Sequence, residues 1–416
     1  MSDGAPASPL RYAWVTVALL WPVALLNYLD RNMVATIRAS IRADIPSIAN
    51  DQDFGLIMAL FLWVYAFLSP VGGFVADKFN RRWTVIGSLF VWSAITWITG
   101  HAQTYEQMKW ARALMGVSEA FYIPAALALI ADFHPGDTRA RAVGIHQSGI
   151  YVGLMLGGIG GYIADHSTWR NCFTWFGAAG VFYALVLMLL LRDAPARPHA
   201  GTTSTVSVGS TLRTLGATPA FWILVVYFTL PAIAGWAVKN WGPTYIADTF
   251  HLKQGEAGVS ATAYVQAASL GGVLLGGYLA DRWMRLTPRG RIYVSALGTL
   301  LCAPALLGLG CAGSLGIAIF AMILFGLGWG FFDCNNMPIL CQIARPEHRA
   351  TGYGIMNLVS TATGAGATVM LGWMRDHGIS FSHAFAVCAV IAVASAALVL
   401  AIKPHTASSP AEAIST

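Results

Sequence analysis

Apolar segments long enough to cross a bilayer recur along the whole chain. Of its 416 residues, 56% are hydrophobic and 11% are charged, whereas a soluble domain carries about 25% charged residues. Lipid offers the backbone no hydrogen-bond partners, so such segments form helices. At about 20 apolar residues per span, the chain predicts an all-α membrane protein with about twelve transmembrane helices, at residues 13–40, 53–76, 83–101, 105–132, 141–164, 170–192, 219–248, 258–281, 291–313, 315–341, 350–374 and 381–402.

Basic residues are concentrated in alternate connections between these spans. With the N-terminus placed in the cytoplasm, 16 of the 25 Lys and Arg residues fall in cytoplasmic loops or tails, as the positive-inside rule requires. We therefore expect a multi-pass plasma-membrane protein, in a bacterial inner membrane, with both termini in the cytoplasm. Residues 1–14 contain one Arg and no small-residue cleavage site, so we expect no removable signal peptide.

One polar stretch, residues 193–218, divides the chain near its middle. Its Pro, Ser, Thr and Gly residues predict a flexible cytoplasmic linker between two six-helix bundles, residues 1–192 and 219–416. The halves also repeat, which predicts two parallel units about an axis along the membrane normal and a functional monomer. The matching segments are GGFVADKFNRR (72–82) with GGYLADRWMR (276–285), and PGDTRARAVGI (135–145) with PEHRATGYGI (346–355).

The first of these segments resembles the loop signature of the major facilitator superfamily, with a degenerate copy in the second half. The resemblance implies two bundles that rock about a central site. Glycines in such a segment allow helices to approach closely, and its charged residues anchor the cytoplasmic face. We therefore expect this region to control opening and closing, through Gly73, Asp77, Arg81, Asp281 and Arg282.

Two pairs of charged residues lie well inside predicted spans of the N-terminal half, where charge is costly and is usually functional. Asp30 and Arg31 are adjacent in the first span, and Arg112 and Glu119 lie in the fourth. The seven-residue gap between Arg112 and Glu119 is two helical turns, so both project from one face, about 10 Å apart. An alternative role is structural, as the ion pairs Asp30–Arg112 or Arg31–Glu119.

The first span, LNYLDRNMVATIRASI (26–41), resembles the corresponding helix of the anion:cation symporter family, and RALMGVSEAFYIP (112–124) resembles its fourth helix. That family imports sugar acids and other organic anions with protons. The resemblance implies that Asp30 and Glu119 carry protons and that Arg31 binds the anion. Arg112 is grouped with the proton-coupling residues. The guanidinium group suits this role, because its planar fork matches a carboxylate or phosphate.

Further polar residues are candidates for substrate contact. His146, in the run HQSG, resembles the fifth-helix His of organophosphate:phosphate antiporters, and Gln147 and Tyr151 follow it. Those antiporters also bind their substrate through a second Arg, in the seventh helix. This Arg has no counterpart here, because the nearby Lys239 lies one helical turn away from that position. The difference argues against phosphate exchange. Amides beside a buried acid can hydrogen-bond to hydroxyl groups. Asp333, Asn335 and Asn336 are therefore candidates, and Tyr28 is a further candidate as an aromatic residue that shapes the cavity.

The sequence contains no phosphate-binding loop, zinc motif or nucleophile elbow. We therefore predict no enzyme activity, no cofactor, no metal and no nucleic-acid partner. The predicted function is proton-coupled uptake of a small organic anion, such as an aldonate, hexuronate or aldarate, by alternating access. The alternatives are an organophosphate/phosphate antiporter and an exporter of lipids or drugs. The charged residues inside the spans argue against an exporter, because its cavity would be largely apolar.

Overall fold

The computed structural model describes residues 9–134, 138–193, 208–345 and 348–402, with the side chains of residues 9–11, 76, 77 and 208 excluded. Helices account for nearly all of this part of the chain. In the N-terminal half they are α1 (Pro9–Thr36), α2 (Arg38–Asp44), α3 (Asp51–Lys78), α4 (Arg81–Thr99), α5 (Tyr105–Glu119), α6 (Tyr122–Phe133), α7 (Arg139–Leu156), α8 (Ile159–His166) and α9 (Trp169–Leu190). In the C-terminal half they are α10 (Val208–Gly216), α11 (Pro219–Phe250), α12 (Gln254–Met284), α13 (Gly290–Gly310), α14 (Leu315–Asp333), α15 (Asn336–Ile343), α16 (Arg349–Asp376) and α17 (Phe381–Leu400).

Eleven helical segments of the described residues are long and apolar enough to cross a membrane. The remaining predicted span, 83–101, corresponds to α4, whose 19 residues extend over about 28 Å. Its buried face carries polar side chains, Ser88, Ser93 and Thr96, which lower its overall hydrophobicity. The predicted all-α membrane fold is confirmed.

The same helix pairings occur in both halves. In the first half α1 packs on α7, α3 on α5 and α4 on α9. In the second half α11 packs on α16, α12 on α14 and α13 on α17. The fourth span breaks between Glu119 and Tyr122, and its counterpart breaks between Asp333 and Asn336. The internal repeat in the sequence therefore reflects two bundles of the same design.

One glycine of each repeated loop segment permits close helix contact. A β-carbon at Gly72 would lie 3.0 Å from the carbonyl carbon of Ala120, at the break in the fourth span. A β-carbon at Gly276 would lie 2.9 Å from the Cα of Phe331. Gly73 faces open space instead. The close approach expected at this segment therefore depends on Gly72, and the selection of Gly73 as a gating residue has no support from packing.

A row of glycines in α7 and α8 serves two interfaces. A β-carbon at Gly149 would lie 2.8 Å from the carbonyl oxygen of Trp21 in α1. One at Gly161 would lie 2.6 Å from the carbonyl carbon of Gln254, which belongs to the other bundle. The small residues thus bring α7 against α1 and α8 against α12, as expected for small-residue helix interfaces.

The predicted linker is partly helical. Its residues 194–207 lie outside the described part of the chain, but 208–216 form α10. This helix packs on the C-terminal bundle through the buried side chain of Leu215, and the Thr211 hydroxyl lies 3.1 Å from His348 Nδ1. The expectation of a flexible segment over the whole of 193–218 is therefore wrong for its second half.

Polar contacts between the bundles cluster on one face. We call the face with α10, the start of α1 and the end of α17 the linker face, and the opposite one the far face. On the far face, Arg375 Nε donates to Asp51 Oδ2 at 2.6 Å, and Asp376 accepts hydrogen bonds from the backbone N–H groups of Asp51 and Gln52 at 2.9 and 2.8 Å. Gln254 Nε2 donates to Ser40 Oγ at 2.6 Å. The bundles are thus held together on the far face.

Candidate substrate site

A cavity of about 260 Å³ lies between the bundles near the middle of the spans. Its wall includes two basic side chains from different bundles, Arg31 of α1 and Lys239 of α11. Both also line a smaller adjoining cavity of about 40 Å³. Because charge inside a membrane protein is costly, two cations facing one cavity make it a candidate site for an anionic ligand.

Arg31 is held by one carboxylate and three aromatic rings. Its Nε donates to Glu119 Oε2 at 2.6 Å. Its guanidinium carbon lies 4.6 Å from the ring centre of Tyr28, 5.0 Å from Phe61 and 4.3 Å from Tyr65. These stacking contacts fix the guanidinium plane. Its Nη2 is buried and has no hydrogen-bond partner among the described residues.

Lys239 is held differently from Arg31. Its ammonium lies 5.3 Å from the Trp236 ring centre and 5.5 Å from Trp329. Within the described residues no carboxylate oxygen lies within 4.0 Å of it, although Asp333 is close enough to interact electrostatically. In the sequence, Lys239 stands one helical turn from the position of the Arg that organophosphate:phosphate antiporters carry. The structure shows that this displacement still leaves it in the cavity wall.

Asp333 connects the bundles within the cavity. It is the last residue of α14, its side chain is exposed to the cavity, and its Oδ2 accepts a hydrogen bond from the Tyr151 hydroxyl at 3.2 Å. Tyr151 belongs to α7 of the other bundle. This hydrogen bond joins two residues that the sequence had selected independently.

Asp30 and Glu119 lie behind Arg31, away from the open cavity. Asp30 is 2% exposed, and its Oδ2 lies 3.3 Å from the Thr96 hydroxyl. Glu119 is fully buried, and its Oε1 lacks a hydrogen-bond partner among the described groups. Of the two structural ion pairs considered from sequence, Arg31–Glu119 is formed. Asp30 and Arg112 interact only at longer range.

Arg112 is buried between this pair of acids and the smaller cavity. Its exposed fraction is 2%, its Nη1 lies 3.1 Å from Met115 Sδ, and its guanidinium stacks 4.7 Å from the Phe61 ring centre. Arg31 stacks on the same ring. Both guanidinium groups thus contact the Phe61 ring.

The rest of the cavity wall combines aromatic and hydrogen-bonding side chains. The aromatic part comes mainly from the C-terminal bundle, and the amides and hydroxyls come from both. The aromatic residues are Phe228, Trp236, Trp329, Phe332 and Tyr353, and the hydrogen-bonding residues include Gln147, Gln266, Asn357, Ser360 and Thr361. Such a wall suits an organic ligand with polar substituents better than a bare inorganic ion.

Three of the predicted contact residues point away from the cavity. His146 is fully buried inside the N-terminal bundle, with its Nε2 2.9 Å from the Tyr122 hydroxyl. Asn335 donates to the Phe331 carbonyl at 3.0 Å, and Asn336 contacts the Asp333 carbonyl at 3.4 Å. These asparagines support the break in the tenth span. The expectation of substrate contact for the three residues is therefore not supported by the geometry.

The predicted gating residues have varied environments. Arg81 forms an ion pair with Asp132 inside its own bundle. Asp281 and Arg291 are 3.4 Å apart inside the other bundle. Arg282 is exposed, and the side chain of Asp77 lies outside the described part. The far-face contacts of Asp51 with Arg38, Arg42 and Arg375 are not evident in the sequence, because they depend on how the helix ends pack together.

Two pseudo-symmetric helical bundles around a charged central cavity are the architecture typical of carriers that work by alternating access. The Major Facilitator Superfamily family profile matches residues 20–369. The chain therefore belongs to the major facilitator superfamily, and it is a membrane transporter rather than an enzyme.

Similar proteins refine this assignment. The chain is 28% identical over 393 residues to protein spinster of Drosophila melanogaster, across 90% of this chain and 64% of that protein. It thus spans less than two thirds of that relative. It is 26% identical over 380 residues to an MFS-type efflux pump of Mycolicibacterium smegmatis, across 90% and 87% of the two chains. The specific resemblance to anion:cation symporters is not confirmed, because these relatives are a spinster protein and an efflux pump.

Solved structures share the fold. One of them is a bacterial homologue of the human lysosomal transporter spinster in an inward-facing, unoccupied conformation. The TM-score is 0.76 at 21% identity, across 95% of this chain and 96% of that one. The likeness establishes the architecture of the two bundles.

Proposed function

We propose that the chain is a proton-coupled carrier of a small organic anion. The observation that carries this proposal is the position of Arg31 and Lys239, one in each bundle, on the wall of one cavity. An anion bound by both would contact both bundles at once. Its binding free energy could then favour bundle closure on the linker face, as alternating access requires.

Proton coupling is supported by the contact between Arg31 and Glu119. An anion that takes hydrogen bonds from Arg31 competes with the Glu119 carboxylate for the same guanidinium. A buried carboxylate that loses its counter-ion is strongly destabilised in its ionised form. Protonation of Glu119, or of Asp30 beside it, removes this cost. Anion and proton would therefore bind together, and the pair would cross as a neutral unit.

A sugar acid is the first candidate substrate. Its carboxylate would bind Arg31 and Lys239, and its hydroxyl groups would hydrogen-bond to amides and hydroxyls in the wall, such as Gln147, Asn357 and Ser360. We propose the inward direction, with the linker face and both termini in the cytoplasm of a bacterial cell, from the distribution of basic residues.

An amphipathic organic anion, carried outward, is the second candidate. Two observations favour it. Phe228, Trp329 and Phe332 form an aromatic part of the wall that suits an apolar substituent. The acids Asp30 and Glu119 are buried behind Arg31, so the open cavity is less polar than the sequence suggests. The similarity to spinster proteins and to an efflux pump is consistent with this candidate.

A ligand panel on the purified protein tests the proposal and separates the candidates. Ligands that bind the native state raise its melting temperature. The panel contains gluconate, decanoate, glucose 6-phosphate, and the neutral controls glucose and decanol. Stabilisation by gluconate alone supports a sugar acid, and by decanoate alone an amphipathic anion. Stabilisation by the neutral compounds to the same degree would overturn anion recognition.

A further inference from the structure

The acid Asp333 shares the cavity with the two basic residues, and its role is not explained by anion binding. Its side chain is exposed to the cavity, whereas Asp30 and Glu119 are buried. A carboxylate at this position reduces the affinity for any anion. Such a residue is expected where a protein must reject some ligands as well as bind others.

The geometry keeps the Asp333 charge in the cavity. Oδ2 accepts the 3.2 Å hydrogen bond from Tyr151, which holds the carboxylate toward the opposite bundle. Lys239 is near enough to attract it but too far for an ion pair within 4.0 Å. The carboxylate is therefore neither neutralised by direct contact nor free to turn away, and its field extends to a ligand at Lys239.

The two cations of the cavity wall each have a negatively charged partner. Arg31 is partly compensated by its direct contact with Glu119, and Lys239 by the more distant Asp333. A ligand with one negative charge can bind between Arg31 and Lys239, where it takes the place of Glu119 and Asp333 as the partner of the two cations. A second negative charge finds no further cation among the described residues of the main cavity wall, and it meets the field of Asp333.

We infer that Asp333 is a specificity-determining residue that restricts the cavity to anions with a single negative charge. This inference rests on the proposed function and narrows its substrate class to monoanions. Among sugar acids, aldonates and hexuronates would then be accepted and aldarates rejected. Tyr151 is a positioning residue, because it acts through the Asp333 carboxylate.

Matched probes that differ by one carboxylate test the inference. The pairs are gluconate with glucarate and decanoate with decanedioate, titrated calorimetrically into the full-length purified protein at pH 7, where all these carboxyl groups are ionised. For the pair that binds, we expect the wild-type protein to prefer the monoanion at least tenfold. Asp333→Asn should reduce this preference about tenfold, equal to about 1.4 kcal/mol. Asp333→Glu should retain it.

Controls separate the possible failures. Glu256→Gln removes an exposed charge of the same bundle on the far face and should leave the preference unchanged. If the Asp333→Asn protein does not fold, Lys239→Gln serves as the test variant. In that variant the Asp333 carboxylate has lost its countercharge, so the preference for monoanions over dianions should increase. Equal binding of mono- and dianions by the wild type, or an unchanged preference in folded Asp333→Asn, overturns the inference alone. No binding of any anion overturns the proposed function as well.

Discussion

Asp51 and Arg375 join the two bundles on the far face. Their 2.6 Å contact links the first turn of α3 to the last turn of α16, and Asp51 is 4% exposed. Arg38 and Arg42 of the N-terminal bundle bind the same carboxylate. A buried acid shared by three arginines from both bundles indicates that closure of this face depends on Asp51, because loss of one member leaves charges unpaired.

Replacement of Asp51 should therefore open the far face. We expect Asp51→Asn to lengthen the distance between spin labels at Gln103 and Gly313, which are exposed on that face of opposite bundles. Double electron–electron resonance measures this distance, with the exposed Cys311 replaced by Ser. Asp53→Asn is the matched control, since the Asp53 carboxylate interacts with Tyr105 of its own bundle. Equal distances in all three proteins would show that the cluster does not hold the face closed.

Arg31 should be sensitive even to a conservative change. Arg31→Lys keeps the charge but loses the planar fork and the stacking on Tyr28 and Tyr65. A hydrogen bond to a charged group contributes about 1.5–3 kcal/mol, so we expect anion binding at least about tenfold weaker, by calorimetry. Wild-type affinity in a folded Arg31→Lys protein would remove Arg31 from the site.

Asp30 and Glu119 should be required for coupling but not for exchange. In proteoliposomes with an imposed pH gradient, we expect Asp30→Asn and Glu119→Gln to abolish anion accumulation. Counterflow of labelled against unlabelled anion needs no net proton movement, so it should persist in at least one variant. Gradient-driven accumulation at the wild-type level in both variants would contradict proton transfer through these acids.

His146 and Gln147 should behave differently although they are neighbours. Gln147 lines the cavity and His146 is fully buried. Gln147→Ala should weaken binding of hydroxylated anions several-fold with little change in melting temperature. His146→Ala removes a buried ring and its contact with Tyr122, so it should lower the melting temperature while affinity stays within a few-fold. The reverse pattern would contradict the orientation of α7.

The fold was predictable because its signals are local. Span length, the positive-inside pattern and the repeated segments each depend on short stretches of sequence, and each half builds the same helix pairings. The site was only partly predictable. Adjacent residues on a helix point about 100° apart, and the sequence does not show which direction faces the cavity. His146 and Asn336 lie buried outside the cavity wall, whereas Arg31, Tyr151 and Asp333 line it, and substrate contact by these three stays a prediction.

The far-face cluster was not predictable from sequence. Asp51 and Arg375 are separated by 324 residues, and each begins or ends a helix, where charged residues are common on any membrane protein. Only the docking of the two bundles brings them together. Lys239 was undervalued for a related reason, because its role depends on the position of α11 across the cavity from Arg31.

The central claim is that one anion is bound jointly by Arg31 and Lys239, one from each bundle. The most direct measurement is calorimetric titration of the panel anion that binds most tightly into wild type, Lys239→Gln and the far-face control Lys253→Gln. We predict that Lys239→Gln weakens binding about tenfold or more, in line with the loss of a charge-assisted contact, and that Lys253→Gln matches the wild type. Equal affinity of all three proteins would contradict the account.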